Sequence, residues 1–128
     1  MIAILLGSHG NYAKEAIKST EMIVGEQENI EAFLLNETMD LTMTIQAAKK
    51  AFDQLEKGSG TLILVDIMGG TPSNVATILK KKNSNVRLLS GFNLPLLIEA
   101  CLNRNTKTLD ELTNYLKEQF AASLLEIK

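Results

Sequence analysis

Short apolar runs alternate with segments of helical periodicity along this chain, at the spacing of about 30 residues that a strand–helix–strand unit occupies. A continuous apolar run is typical of a strand buried on both faces, as in a parallel sheet. The alternation therefore predicts an α/β fold, with a doubly wound, mainly parallel sheet of order 2-1-3-4 and helices on both faces. The predicted strands are Ile2–Leu6, Ile30–Leu35, Thr61–Val65 and Val86–Leu89.

Periodic apolar residues and terminal signals predict the helices of the chain. Asp40 is the expected N-cap of the second helix, and Thr108 with Glu111 predicts a capping box at the start of the last one. In the third helix, Thr71 is the expected N-cap and Pro72 the first helical residue. The predicted helices are Tyr12–Val24, Leu41–Leu55, residues 72–82, a segment ending at about Leu102, and Leu109–Ala121.

The composition fits a single domain, 1–128, with 45% hydrophobic and 22% charged residues. The net charge of -2 argues against a nucleic-acid partner, which selects a basic face. The one cysteine has no partner for an internal disulfide and fits a reducing compartment. No apolar run approaches the roughly 20 residues that span a bilayer, and no basic segment precedes the first run as in a signal peptide. A cytoplasmic location is therefore expected.

Three loops leave the carboxyl ends of predicted strands with residues suited to chemistry. These are residues 8–10 with His9, residues 66–71 with Asp66 and Thr71, and residues 90–93. In doubly wound sheets, ligands bind at the carboxyl ends of the strands, where the strand order reverses. Because order 2-1-3-4 makes strands one and three neighbours, we expect His9 and Asp66 to lie side by side.

His9 is a candidate nucleophile, since a neutral imidazole can attack an electrophile near neutral pH. A carboxylate such as Asp66 can accept the proton of one ring nitrogen, which fixes the tautomer and leaves the other nitrogen free. Thr71 and the first amides of its helix are natural hosts for phosphoryl oxygens. Each residue also has a structural interpretation, because a lone histidine is often incidental, and Asp66 and Thr71 suit turns or caps.

Several other kinds of site lack essential parts in this sequence. It has no GxxxxGK[ST] for a nucleotide P-loop and no GxGxxG after a strand for a dinucleotide. One histidine and one cysteine, far apart in the chain, argue against a metal site of nitrogen and sulfur ligands. Ser8 precedes His9 on an extended strand, so their side chains point apart and a serine hydrolase pair is not favoured. The sequence therefore predicts no metal and no cofactor.

Four motifs, in order along the chain, resemble those of the enzyme IIA component of the mannose-type (mannose/fructose/sorbose) sugar phosphotransferase system. The resemblance covers nearly the whole chain, and four motifs together are far more specific than any one. The motifs are Ile2–Gly10, which ends in the histidine loop, Glu21–Asn29 after the first helix, Leu64–Asn74 with DIMGGTPSN, and Gly91–Leu97 with GFNLPLL.

The resemblance implies a phosphocarrier, a phosphotransferase component that serves coupled sugar uptake and phosphorylation. His9 would take a phosphoryl group on Nε2 from phospho-HPr, a small carrier protein, and pass it to the cognate IIB component. The membrane components IIC and IID would be indirect partners. Asp66 would hold Nδ1 of His9, and Thr71, which stands where some relatives have serine, would help to bind the phosphoryl oxygens.

The resemblance also implies a homodimer in which a C-terminal antiparallel strand is exchanged between subunits. Leu124–Lys128 is the candidate for that strand. The alternation of apolar and polar residues there fits a short strand, but it fits the end of the last helix as well. Both interpretations remain open from the sequence.

Three other functions also remain open. A receiver domain would be phosphorylated on Asp66, but it needs magnesium and an acidic pair after strand one, where this chain has Gly7-Ser8-His9. The phosphocarrier subunit of a dihydroxyacetone kinase resembles the mannose-type family in fold, and its partner would be a kinase. A non-catalytic interaction module would use the same fold without transfer chemistry.

Overall fold

The computed structural model describes all residues, 1–128, and contains one sheet of four parallel strands in the order β2-β1-β3-β4. The strands are β1 (Ala3–His9), β2 (Ile30–Leu35), β3 (Thr61–Val65) and β4 (Val86–Ser90). The predicted fold class and strand order are confirmed. β1 runs beyond the predicted Leu6, because Ser8 and His9 continue the pairing with β2.

Five helices connect or follow these strands, and their bounds are close to those predicted. α2 ends before the predicted Leu55, because the amides of Gln54 and Leu55 bond to carbonyls three residues back and close a turn. α5 likewise ends before the predicted Ala121, where the chain tightens into a 3₁₀ turn. The helices are α1 (Tyr12–Val24), α2 (Leu41–Asp53), α3 (Thr71–Lys82), α4 (Leu94–Asn103) and α5 (Leu109–Gln119), and the 3₁₀ turn is Ala121–Ser123.

The two faces of the sheet are covered by two separate hydrophobic cores. Ile4 and Leu6 of β1 pack on the side of α1, α4 and α5, whereas Ala3 and Leu5 pack on the side of α2 and α3. This alternation is the period-2 geometry of a strand, and burial on both sides explains why β1 and β3 are continuously apolar. Since helices cover both faces, the accessible parts of the sheet are its edge strands β2 and β4 and the strand ends with their loops.

Two of the predicted helix caps are confirmed, and one is wrong. The Asp40 carboxylate accepts the amide of Met43 at 2.8 Å, and Thr108 and Glu111 form the capping box. The N-cap of α3, however, is Gly70 and not Thr71, which is already helical. Gly70 has extended backbone angles, and its carbonyl accepts the first helical bond, from Asn74 at 3.0 Å.

The amino end of the sheet is closed by Arg104, which directly follows α4 and is only 1% exposed. Its Nη1 donates to the carbonyls of Ile2 and Asn29, at 3.2 and 3.0 Å. Its Nη2 donates to Oε1 of Gln27 at 3.1 Å and to the carbonyl of Glu28. Burial lowers the pKa of Arg104, although the guanidinium stays charged because its ordinary value is far above neutrality. Arg104 thus joins the segments that precede β1 and β2.

The C-terminal segment Leu124–Lys128 forms neither a strand nor a helix within the single chain. Its apolar side chains are almost fully exposed, at 87% for Leu124, 76% for Leu125 and 96% for Ile127. The segment therefore contributes no apolar burial to either core of its own chain. None of the helices has the length and the apolar character that crossing a bilayer requires.

Candidate functional site

The carboxyl ends of β1 and β3 bring His9 and Asp66 into direct contact, as the strand order predicts. Oδ2 of Asp66 accepts both the backbone amide and the ring Nδ1 of His9, each at 2.8 Å. The two residues are 57 positions apart in sequence and meet because β1 and β3 are adjacent and parallel. Because one carboxylate oxygen accepts these two hydrogen bonds, both the position and the orientation of the imidazole are fixed.

Asp66 is held in its charged form by the groups around it. Burial alone would raise the pKa of this carboxyl, but the hydrogen bonds from the His9 amide, the His9 ring and the Ile67 amide outweigh it and lower the pKa below its ordinary value. The Asp66 side chain is only 13% exposed, whereas that of His9 is 46% exposed. The pair therefore has a shielded carboxylate and an accessible imidazole.

The hydrogen bond to Asp66 assigns the roles of the two ring nitrogens. Because a carboxylate only accepts, Nδ1 of the neutral ring carries the proton, and Nε2 keeps its lone pair. Nε2 has no hydrogen-bond partner within the chain. The arrangement leaves one nucleophilic nitrogen on a half-exposed ring, and the proton on the other nitrogen stays with the carboxylate.

The loop that leads into α3 approaches the imidazole from the side of Nε2. A Cβ on Gly70 would lie 2.7 Å from Cε1 and 3.1 Å from Nε2 of His9, so the ring fills the space that a side chain at residue 70 would need. Thr71 follows directly as the first residue of α3, partly buried, and its hydroxyl makes no hydrogen bond within the chain. The structure thus brings the start of α3 to His9, and phosphoryl binding by Thr71 remains a prediction.

Tyr12 is a residue near the site that the sequence reasoning missed as a functional candidate, and it packs on Phe92 of the 90–93 loop that the reasoning named. Their rings stack at a centroid distance of 5.0 Å, and the Tyr12 hydroxyl donates to the Phe92 carbonyl at 3.2 Å. Burial and then the charge of Asp66 raise the pKa of Tyr12. The contact joins the loops after β1 and β4 beside Asp66. The one signal in the sequence that could have indicated Tyr12 is its position as an aromatic residue just after the His9 loop.

Ser8 stabilises the loop that follows His9 and takes no part in the pair with Asp66. Its buried hydroxyl accepts the amide of Ala13 at 2.8 Å and donates to the carbonyl of Gly10 at 3.2 Å. These bonds satisfy one of the free amides at the start of α1, where Asn11 gives no side-chain cap. Ser8 is therefore a structural residue, which agrees with the expectation that it is not a hydrolase nucleophile.

On the side of β2, His9 borders an open groove of about 760 Å³ between the loops after β1 and β2. The groove is lined mainly by polar residues and includes one carboxylate, that of Glu37. It is too open to enclose a small molecule, and the ring of His9 lies at its edge. The geometry fits access by a group carried on another macromolecule better than it fits an enclosed substrate.

The chain is similar to known proteins along most of its length. The model of the mannose-type EIIA family, described as "PTS system fructose IIA component", matches residues 3–117. This chain belongs to that family. The chain is also 33% identical over 128 residues to the sorbose-specific EIIA component of Lacticaseibacillus casei, with 96% of this chain and 91% of that protein covered. The family expected from the four motifs is confirmed.

Two further relatives show how this EIIA chain compares in extent and in structure. It is 34% identical over 106 residues to the mannose-specific EIIAB component of Escherichia coli K12, a match that covers 81% of this chain but only 32% of that protein. The chain thus spans about a third of the length of that curated relative. The crystal structure of an EIIA component from Streptococcus agalactiae superposes with a TM-score of 0.87 at 28% identity and covers 98% of this chain and 97% of the other.

Proposed function

We propose that this EIIA chain is a phosphocarrier of a sugar phosphotransferase system. In the proposal, Nε2 of His9 accepts a phosphoryl group from phosphorylated HPr and passes it to a IIB component. The observation that carries the proposal is the 2.8 Å hydrogen bond between Nδ1 of His9 and Oδ2 of Asp66, on a ring that is 46% exposed. This bond leaves a single nitrogen unprotonated and accessible, as a nucleophile for phosphoryl transfer requires.

The transfer needs little covalent help from the protein. The lone pair of Nε2 forms a bond to phosphorus as the bond between phosphorus and the donor imidazole breaks, and the leaving nitrogen keeps the bonding electrons. The ring of His9 becomes positively charged, and the Asp66 carboxylate, 2.8 Å from Nδ1, offsets that charge without moving a proton. Catalysis then consists mainly of positioning and electrostatics, as in other phosphoryl transfers with loose transition states.

Thr71 and the amides at the start of α3 are the proposed hosts of the phosphoryl oxygens. Three observations support this role. α3 begins beside the His9 ring, its first amides have no helical acceptor, and the Thr71 hydroxyl is without a partner in the chain. An incoming phosphoryl group can therefore receive hydrogen bonds that cost no internal bond of the folded chain.

The direct test is to incubate the purified chain with phosphorylated HPr and to map the modified residue by mass spectrometry at neutral pH. We expect one phosphoryl group per chain, on His9, which is the one histidine of the sequence. The phosphorylated chain should then transfer the group to a IIB component. Modification of Asp66, recognised by a phosphate that is labile in base where phosphohistidine is stable, would replace this proposal with the receiver function.

The other functions left open by the sequence gain no support from the comparisons. The family match and the relatives name sugar phosphotransferase components, and none names a receiver domain or a dihydroxyacetone kinase subunit. The proposal includes a cytoplasmic site of action, where HPr and IIB components work, and an indirect link to the membrane components IIC and IID through IIB.

We further propose that the chain forms a homodimer by exchange of Leu124–Lys128. β4 is an edge strand, and an apolar groove of about 260 Å³ lies between its carboxyl end and α5. The exposed Leu124, Leu125 and Ile127 provide the apolar groups that a partner's groove and strand edge would bury. Light scattering should give a dimer for the full chain and a monomer after truncation at Ser123. An unchanged mass after truncation would exclude the exchange.

A further inference from the structure

We propose that Gly70 is a positioning residue for phosphoryl transfer, because the absence of a side chain there keeps the imidazole of His9 on Asp66 and leaves Nε2 open. This inference rests on the proposed function of His9. It begins from a close approach between two segments, the end of β1 and the start of α3. A Cβ on Gly70 would lie 2.7 Å from Cε1 and 3.1 Å from Nε2 of the His9 ring.

The backbone at this position does not require glycine. Gly70 has φ -87° and ψ 175°, an extended conformation that any residue adopts. Its neighbour Gly69, in contrast, has φ 88°, which favours glycine strongly, while nothing lies within 4 Å of its Cβ position. The reason for glycine at 70 is therefore the space beside the ring, and the reason at 69 is the backbone.

Capping preferences give a second argument. Gly70 is the N-cap of α3, where serine, threonine, aspartate or asparagine would supply a side-chain acceptor for a helix amide. With glycine at this position, α3 has no side-chain cap. Glycine is itself an accepted N-cap, so the chain loses only a side-chain acceptor at the point where any Cβ would meet His9.

The two partners in this contact differ in how easily they move. The His9 side chain is 46% exposed, so a Cβ on residue 70 can push the ring toward solvent without disturbing either core. That movement breaks the 2.8 Å bond between Nδ1 and Asp66, which sets the tautomer. The Cβ also occupies space next to Nε2, where phosphorus must approach. A substitution at Gly70 is therefore expected to preserve the fold and to impair the transfer.

The test compares Gly70→Ala and Gly70→Ser with the wild type and with Gly58→Ala. Gly58 is an exposed glycine whose Cβ would meet nothing within 4 Å, which makes it the matched control. Each protein is phosphorylated with phosphorylated HPr and, separately, with phosphoramidate, a small donor that needs no protein docking. We expect both Gly70 variants to lose about a hundredfold in rate with both donors, since misplacement by about 1 Å can cost that much. Gly58→Ala should keep the wild-type rate.

The serine variant separates the contact from helix capping, because serine restores a good N-cap but carries the same Cβ. A recovery of transfer in Gly70→Ser would attribute the alanine defect to the cap and overturn the inference. A loss with HPr alone would indicate a docking defect and overturn it as well. Phosphoryl-transfer rates within about twofold of the wild type in both Gly70 variants would also overturn the inference.

Nitrogen NMR of His9 in the unphosphorylated proteins tests the contact without any transfer assay. We expect the wild type and Gly58→Ala to show the tautomer protonated on Nδ1, and the Gly70 variants to show a mixture with the Nε2-protonated form. A wild-type spectrum from both Gly70 variants would overturn the inference. If the wild type accepts no phosphoryl group at all, the proposed function fails, and the NMR comparison still decides whether Gly70 positions the ring.

Discussion

At the carboxyl end of the sheet, His9 has a side chain that is 46% exposed and one carboxylate beside it, whereas at the amino end Arg104 is 1% exposed among carbonyl oxygens. Both side chains connect segments that are distant in sequence. The His9 bond spans 57 positions, and the bond from Arg104 to Ile2 spans 102. Long-range side-chain hydrogen bonds thus hold both ends of the sheet, at His9 where the end is open to solvent and at Arg104 where it is buried.

The two ends of the sheet differ in role: the carboxyl end with His9 provides a reactive group, and the amino end with Arg104 stabilises the fold. Arg104 donates from both terminal nitrogens to four acceptors, and no carboxylate forms an ion pair with it. Removing it would take a donor away from four buried or partly buried acceptors, which is costly. His9 leaves Nε2 unpaired at the surface, where water can solvate it at little cost. An unpaired nitrogen is stable at the open end and is available there for chemistry.

The largest expected effect is the loss of function in His9→Ala. Phosphorylation by phosphorylated HPr should be abolished, because the chain has no other histidine. The free energy of unfolding should change by less than about 1 kcal/mol, since the ring is half exposed and packs in neither core. Mass spectrometry and urea denaturation give the two values. An acid-labile phosphate in this variant would contradict the assignment, and a large loss of stability would contradict the contrast between the two ends of the sheet.

Arg104→Ala should have the opposite profile. The free energy of unfolding should fall by about 1–3 kcal/mol, because the substitution removes the Arg104 donor from four acceptors, of which the Asn29 carbonyl keeps another partner, the Ile4 amide. Arg104→Lys should recover only part of this, since an ammonium cannot reproduce the planar guanidinium contacts. Urea denaturation provides the measurement.

The matched control for Arg104 is Arg87→Ala, which removes an exposed ion pair with Asp110. Such a pair contributes less than about 1 kcal/mol, so the control should be close to the wild type. Transfer by Arg104→Ala, measured at a temperature where it is folded, should match the wild-type rate. A slower phosphoryl transfer in folded Arg104→Ala, but not in Arg87→Ala, would show that the amino end of the sheet influences His9 at the carboxyl end.

Asp66→Asn tests whether phosphoryl transfer at the carboxyl end of the sheet depends on the tautomer of His9. An asparagine amide can donate to Nδ1, which places the ring proton on Nε2 and removes the nucleophilic lone pair. We expect the rate of phosphoryl transfer to fall by at least about a hundredfold, with a nearly unchanged fold by circular dichroism. Stopped-flow or quench-flow transfer from phosphorylated HPr gives the rate. Unchanged kinetics would remove Asp66 from the mechanism.

A smaller effect is expected for Thr71→Val, which keeps the shape of the side chain and removes the hydroxyl. Loss of one hydrogen bond to a charged phosphoryl oxygen corresponds to about a tenfold slower transfer. Thr71→Ser is the matched control and should transfer at close to the wild-type rate. Equal rates in the valine and serine variants would exclude a role for the hydroxyl in binding the phosphoryl group.

The smallest effect concerns the pH dependence of stability. The pKa of Asp66 is lowered in the folded chain, so its charged form stabilises the fold above the ordinary carboxyl value of about 3.9, and that contribution is lost as the pH falls through the folded pKa. Below about pH 4, the free energy of unfolding should therefore fall more steeply in the wild type than in Asp66→Asn. Urea denaturation between pH 5 and pH 2 measures both slopes. Parallel slopes would contradict the pKa direction.

Much of the fold could be predicted because local patterns specify it. The bounds of α1, β2 and β3 were predicted from apolar periodicity, and the caps at Asp40 and Thr108 from side chains that bond amides three residues away. The predicted N-cap of α3 was wrong because threonine and glycine are about equally favoured as caps, so local preference could not choose between Thr71 and Gly70. The observed cap, Gly70, lies where a Cβ would meet the His9 ring, and no local pattern contains that proximity.

The sequence by itself determined the alternation of strands and helices, and with it the end of the sheet at which His9 and Asp66 meet. Only the tertiary structure decided that the same Asp66 oxygen also accepts the His9 amide, that the His9 ring fills the space beside Gly70 and that Arg104 is buried at the opposite end of the sheet. The physical reason is the separation in sequence over which each kind of interaction acts. Periodicity and capping act over a few residues, whereas these contacts join groups that only the packing of the sheet brings within hydrogen-bond distance.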